Sequence, residues 1–482
     1  MTPHVSIWDR ANLPLTIGSI MAVTVAAFQG LAVATITPVV TSDLGGESLY
    51  GWVFNAFLIP QIVGTVLGGR EVDRRPPWMV FYPALALFAI GLIVCSVADS
   101  MGILLVGRML VGFGCGALFS TVYAIIGASY DDSLRPAMLA AISTAWVVPS
   151  LVGPFIAGSI ADTFHWRWVF VMLLPLVLLS GALTWRTYST VVLPRDPANE
   201  ALSRTRLPLA IILAIGTTLF LAGPDLTELA RLVGASVNNV PVLVSGAFVV
   251  AGLVLIAPTL QRLMPAGTFT LRPMLPAAIA VRSLAFGGFT ITETYVVYAL
   301  KTFGELTSSQ AGMILTIGSL TWTLGSVLQA RWDRQDGADG RPQRLLLGVL
   351  FMIAGCGAIV ADVLVTQDIF WPLAMVAWAL TGLGIGICFT TATAMAFQYA
   401  PTGQDGLVSS SFLLLDLFAN AIGVGIGGFI LTGMIDNGRG QPAAAGTSMS
   451  LSLIFIALAL LAVMRLRRSS YSATATKPSP GT

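Results

Sequence analysis

The sequence predicts an all-α polytopic membrane protein with fourteen transmembrane helices. Hydrophobic residues make up 56% of the 482-residue chain, only 10% are charged, and the mean hydropathy is +0.84. A water-soluble chain needs roughly a quarter of its residues charged to cover its surface. Apolar stretches of about 20 residues, the length that crosses a hydrocarbon core, recur here with short polar breaks.

The stretches lie at about residues 14–40, 48–69, 78–97, 101–129, 137–161, 167–186, 207–223, 240–260, 274–300, 308–330, 345–364, 370–398, 406–435 and 448–465. An even number puts both termini on one side. With the N-terminus inside, the inner loops and tails hold 19 Arg and Lys residues, against four at the outer loops and span edges (Arg167, Arg231, Lys301, Arg439). That asymmetry satisfies the positive-inside rule. Between the seventh and eighth spans, "GPDLTELARLVGASVNNVP" reads as a loop or a surface helix. The opening segment lacks a basic region followed by a small-residue cleavage site, so the first stretch is expected to remain as a span.

The polar inventory excludes other classes. Nothing in the charge distribution suggests nucleic acid. Cys95, Cys115, Cys356 and Cys388 sit in apolar runs at no metal-ligand spacing and read as small buried hydrophobes, so neither metal nor cofactor is expected. His4 and His165 lie at span edges and the acids do not cluster, which disfavours a membrane-embedded enzyme. No sizeable soluble domain exists to serve a receptor.

An internal repeat organises the spans. Gly112, Gly114 and Gly116 of the fourth span overlay Gly382, Gly384 and Gly386 of the twelfth at an offset of 270, which also carries Gly153 onto Gly423 and Gly158 onto Gly428. Asp73-Arg74 overlays Asp333-Arg334 at an offset of 260. Many transporters are built from such duplicated bundles. The organisation that follows is a six-helix bundle over 1–206, two inserted helices and a linker over 207–268, a second six-helix bundle over 269–468, and a low-complexity, disordered tail over 469–482.

With these motifs in place the chain resembles the major facilitator superfamily, specifically its 14-helix drug:proton antiporter branch. Gly69, Asp73 and Arg74 match the family's G-x-x-x-D-R loop, and Arg108, Gly112, Gly114 and Gly116 its R-x-x-x-G-x-G. Gly153, Pro154 and Gly158 resemble the G-P-x-x-x-G antiporter motif, and "WRWVFVMLLP" resembles the W-R-W-x-F-x-x-N-x-P of span six. Three positions depart from the pattern: Gln29 stands where the first span usually has an acid, Val111 where many relatives have glutamine, and Leu173 replaces the asparagine. Coupling through a first-span carboxylate is therefore in doubt.

The resemblance implies a monomeric inner-membrane transporter, both termini cytoplasmic, that exports small amphipathic compounds against protons by alternating access. A dedicated lipid or metabolite exporter would use the same framework. It also implies that the glycines at 153 and 158 seal the outer half of the pathway, that Asp73 and Arg74 form an inner latch, and that Arg108 handles protons. The plainer alternatives are helix packing, a positive-inside anchor, and an arginine snorkelling to the interface.

Two acids lie inside spans. Arg282 and Glu293 share one face of the ninth span but stand roughly 16 Å apart along the axis, too far to pair. Thr290, Thr292, Thr294, Tyr295 and Tyr298 surround Glu293 in sequence, a setting suited to an amphipathic cation or to an interfacial acid. Asp416 lies near mid-span, where an aspartate costs on the order of 2.5–3.5 kcal/mol to insert. Protonation removes that penalty, which makes Asp416 a coupling candidate; a static hydrogen bond to a neighbouring helix is the alternative. Asp416, Asn420, Gly423 and Gly427 follow one helix face, and Trp146 is the first-half counterpart of the acid. Gln29, Asn55, Gln61, Trp146, Tyr295 and Asn420 complete the expected substrate cavity near the midplane.

Overall fold

The computed structural model describes residues 6–10, 12–129, 135–191, 197–232, 241–400 and 405–475. Among them there are sixteen α-helices and no strands. These are α1 (Leu13–Asp43), α2 (Tyr50–Val72), α3 (Trp78–Ser96), α4 (Met101–Ser129), α5 (Arg135–Thr163), α6 (Arg167–Val171), α7 (Leu174–Thr190) and α8 (Pro197–Ala222). They continue as α9 (Leu226–Leu232), α10 (Val242–Leu263), α11 (Leu275–Thr302), α12 (Ser308–Asp336), α13 (Arg341–Thr366), α14 (Trp371–Gln398), α15 (Asp405–Asp436) and α16 (Gln441–Ala475). In a solvent without water each backbone N–H and C=O must be satisfied within its own segment, and helices achieve this.

Thirteen helical spans among the described residues are long and apolar enough to cross a membrane. The fourteenth expected span lies in α5, some of whose residues fall outside the described set. The sixth span is split: α6 stops at Val171 and α7 restarts at Leu174, with Pro175 at its first turn, where a missing N–H costs nothing. The segment after the seventh span, expected as a loop or a surface helix, carries the short helix α9. One expectation is corrected. The tail does not lose structure at 469, because α16 runs to Ala475; Arg467–Ala475 contains neither glycine nor proline, and the first helix breaker is Pro478.

The chain divides into two compact units, Met1–Thr259 with Leu306–Thr316, and Leu260–Glu305 with Ile317–Thr482. Each is assembled on the same glycine device. In the first, a side chain at Gly112 or Gly116 would collide with the backbone carbonyls of Phe57 and Gln61 on α2, while one at Gly114 would meet the carbonyl of Ala84 on α3. In the second, Gly382 and Gly386 lie against the carbonyls of Gly318 and Trp322 on α12, and Gly384 against that of Gly348 on α13. One fold element is thus built twice, the outer glycines of G-x-G-x-G receiving one neighbour and the central one the other. With no hydrophobic driving force between helices in lipid, close backbone approach supplies the attraction.

The inserted pair α8 and α10 also packs through glycines, Gly216 and Gly223 against α10 and Gly252 against Phe220. It is tied to α2 by the Trp52 indole N–H, which donates to Asp225 at 2.9 Å.

The glycine device predicts a sharp contrast. Gly112→Ala should lower stability by about 1–3 kcal/mol, because a backbone carbonyl cannot rotate away. Gly69→Ala, which meets nothing within 4 Å, should be neutral or stabilising by up to about 1 kcal/mol. Thermal unfolding of both purified variants in detergent measures the difference.

Candidate transport site

In the second unit the two intramembrane charges that sequence spacing left separate meet each other. Arg282 of α11 approaches Asp416 of α15 with Nη1 2.8 Å from Oδ2. The hydroxyl of Ser283, the next residue, donates to the other carboxylate oxygen at 2.6 Å. Asp416 is 5% exposed. The guanidinium lies over two phenyl rings, Phe389 of α14 and Phe412 of α15, 4.1 Å from each centroid. The static hydrogen bond weighed for Asp416 is therefore present, and an arginine accompanies it.

The glycine stripe explains how α15 comes so close. Gly423 abuts Ile291 and Gly427 abuts Tyr295, so the face carrying Asp416, Gly423 and Gly427 is the one pressed on α11. Tyr295, expected to line a cavity, is fully buried in that seam and donates its hydroxyl to the Val424 carbonyl. Asn420 is half-buried.

Arg282, Phe286, Phe289 and Glu293 follow at i, i+4, i+7 and i+11, one face of α11. Phe286 and Phe289 both reach Trp322, at centroid distances of 6.4 and 5.0 Å. Trp322 in turn meets Phe389 at 5.6 Å, and Phe289 stacks on Trp378 at 4.7 Å. The face thus begins with a neutralised ion pair, continues over aromatic rings and ends at Glu293. That carboxylate is half-buried and has neither a hydrogen bond nor an ion pair among the described residues. Isolated burial of a carboxylate is costly, and intramembrane acids of this kind mark ion or substrate pathways.

In the first unit Arg108 is 2% exposed. Its Nε donates to the Val53 carbonyl at 3.0 Å and its guanidinium lies 4.7 Å from the Phe57 ring, both on α2. No carboxylate pairs with it among the described residues, which agrees with glutamine standing where the first-span acid would be. The amide of Gln29 is fully buried with neither atom hydrogen-bonded, and the Asn55 Oδ1 is equally unpartnered. Gln61 points its amide nitrogen at Cys115, 3.8 Å away. Trp146 is 45% exposed and lies parallel to Phe119 at 5.9 Å.

The motif residues divide in role. Asp73 and Arg74 are half-buried beyond the end of α2, and each has a partner. Their repeat counterpart Asp333 is held by Arg341, at 3.0 and 2.5 Å, and by Arg344 at 2.8 Å. Of the span-five motif, Gly158 lies against the Ser308 carbonyl and admits no side chain, whereas a methyl group at Gly153 would meet only the Phe28 ring, at 3.5 Å. The expectation that both permit close approach is corrected: what faces Gly153 is the rim of a ring, with room for a methyl group. Sequence reading overlooked Asp43, which accepts the Trp166 indole N–H at 2.9 Å and pairs with Arg167 at 3.2 Å, anchoring the W-R-W segment to the end of α1.

The family described as Major Facilitator Superfamily matches residues 18–304. A protein of Mycobacterium tuberculosis named a probable multidrug-efflux transporter is 26% identical over 405 residues, covering 82% of this chain and 83% of its own. The multidrug transporter protein MdtP of Bacillus subtilis is 24% identical over 433 residues, 88% of this chain and 75% of its own. Among solved structures, a peptide transporter POT in complex with sulfate superposes with a TM-score of 0.66 at 16% identity, covering 96% of this chain and 97% of that one.

The buried pair predicts a non-additive response. Arg282→Met alone should cost roughly 3–5 kcal/mol, since it strands a carboxylate, while Arg282→Met with Asp416→Leu should recover most of the loss. A double-mutant cycle on unfolding midpoints in detergent checks this.

Proposed function

Because the chain belongs to the Major Facilitator Superfamily, we propose that it is a secondary exporter of the cell membrane that exchanges protons for small amphipathic cations by alternating access. Family and fold support a multi-pass membrane transporter of small molecules rather than an enzyme. The multidrug names of its relatives support a loosely selective site. The positive-inside asymmetry supports cytoplasmic termini.

The observation that carries the coupling reading is the unpartnered carboxylate of Glu293 at the end of an aromatic face. An organic cation would lay its apolar body on Phe286, Phe289 and Trp322 and its charge against Glu293. A proton neutralises the same oxygen atoms. Proton and cation therefore compete for one group, and neither half-cycle leaves the acid charged and dry. Competition of this kind makes the exchange obligatory, and an inward proton gains about 2.3 kcal/mol per 100 mV of membrane potential. Asp416 is the second coupling candidate, and its protonation would have to release Arg282. Arg108 supplies a fixed positive charge in the first unit, which disfavours a second cation there.

In proteoliposomes, an imposed proton gradient should drive tetraphenylphosphonium against its own gradient, and Glu293→Gln should reduce that flux to the level of empty liposomes. Asp416→Asn, assayed alongside, identifies the exchanging acid if flux through Glu293→Gln persists. Coupled flux surviving in both variants would overturn the reading.

A further inference from the structure

The end of α5 does more than pack. Pro154, Gly158 and Asp162 follow at i, i+4 and i+8 on one helix face, and each meets the first two turns of α12, which belong to the same compact unit. Gly312 lies against the Pro154 carbonyl and Gly158 against that of Ser308. One turn further on, the Asp162 carboxylate accepts the backbone N–H of Ser308 at 3.0 Å, that of Ser309 at 2.8 Å, and the Ser309 hydroxyl at 2.7 Å.

The start of α12 shows why an acid belongs there. A helix leaves its first N–H groups without internal partners. Thr307 and Gln310 form a reciprocal capping box, the Gln310 side chain accepting the Thr307 N–H at 2.9 Å and the Thr307 hydroxyl accepting the Gln310 N–H at 3.3 Å. That box leaves two donors open, the N–H groups of Ser308 and Ser309. Both are taken in trans by Asp162, whose charge also faces the positive end of the α12 dipole.

We propose that Asp162 is a positioning residue for transport, the latch that holds α5 on α12 and is released each time the outer end of the pathway opens. The inference rests on the alternating-access reading. Two features suit a contact that must break. Its inner part is glycine against backbone carbonyls. Its rim is wet: Asp162 is exposed, so water takes over its hydrogen bonds as the helices part, and the net cost of opening is far below that of a buried charge pair. Ser308, directly beneath, is 0% exposed, so parting of the helices uncovers a site that is otherwise sealed.

The test is labelling of a Ser308→Cys variant with a membrane-impermeant maleimide in full-length, reconstituted protein. The four native cysteines are buried, and the parent chain supplies the blank. Adding Asp162→Asn should speed labelling at 308 by roughly tenfold or more, the loss expected for charge-assisted hydrogen bonds. Cys95 and Cys115 should stay unlabelled, which separates opening of the latch from general loosening. An unchanged rate, or equal labelling of the native cysteines, overturns the proposal. Should the asparagine variant fail to accumulate, the Asp162→Cys, Ser309→Cys pair serves: oxidation should stop tetraphenylphosphonium flux and reduction restore it, and undiminished flux after cross-linking overturns the latch. The labelling needs no substrate. A chain that moves no lipophilic cation but still shows the labelling difference retains the latch and loses the substrate reading.

Discussion

A bilayer offers no water to a polar group, and the interior of this protein is arranged around that constraint. Backbone groups are satisfied within helices, hydroxyls of threonine and serine turn back to carbonyls one turn earlier, and the charges that enter the spans are dealt with one at a time. Arg282 is neutralised by Asp416 and placed over two phenyl rings. Arg108 is given a carbonyl and one ring. Glu293 is given nothing among the described residues. The gradation, from a compensated pair to a bare carboxylate, separates charge that is structural from charge that is available for chemistry.

The second organising element is the glycine contact with a carbonyl on the facing helix. It occurs between α4 and α2 and again between α14 and α12, at residues four apart in each case. Because such contacts involve backbone rather than branched side chains, they tolerate little substitution and hold helices at fixed separation. They also slide or part without disentangling rotamers. The same chemistry recurs between α5 and α12, where Asp162 adds a polar closure to an otherwise smooth surface.

Much of this was legible in the sequence because hydrophobic length and glycine spacing are local signals. Thirteen of the expected spans, the G-x-G-x-G repeat and the α15 face bearing Asp416 with Gly423 and Gly427 needed no knowledge of neighbours. What was missed is long-range. Arg282 and Asp416 lie 133 residues apart, and helical periodicity compares residues only within one helix, so Arg282 was tested against Glu293 alone. Depth would have served better: both residues sit a similar number of turns from the start of spans that run in the same direction. Tyr295 misled because a tyrosine among threonines resembles a binding cluster, whereas its hydroxyl serves a carbonyl of the adjacent helix. Asp43 and Asp162 were invisible for a third reason. Acids at span ends look like ordinary interfacial residues until the donors they serve are in view.

Arg282, neutralised by Asp416 of α15, and Glu293 belong to one face of α11, and that has an electrostatic consequence. A neutral pair at one end leaves the face with the charge of Glu293 alone, so in the proposed exchange its occupancy by a proton or a cation would set the charge of the whole aromatic lane. Had Asp416 lacked its arginine, the lane would carry two negative charges and one proton would leave it unsaturated. Had Arg282 lacked its aspartate, the positive charge would oppose any cation and cancel the attraction of Glu293 at a distance. In the proposed exchange, compensation of Arg282 is what would let a single carboxylate act as a one-for-one exchange site. Asp416 would then serve the proposed coupling even without giving up its own charge, by keeping the count of exchangeable charges in the lane at one.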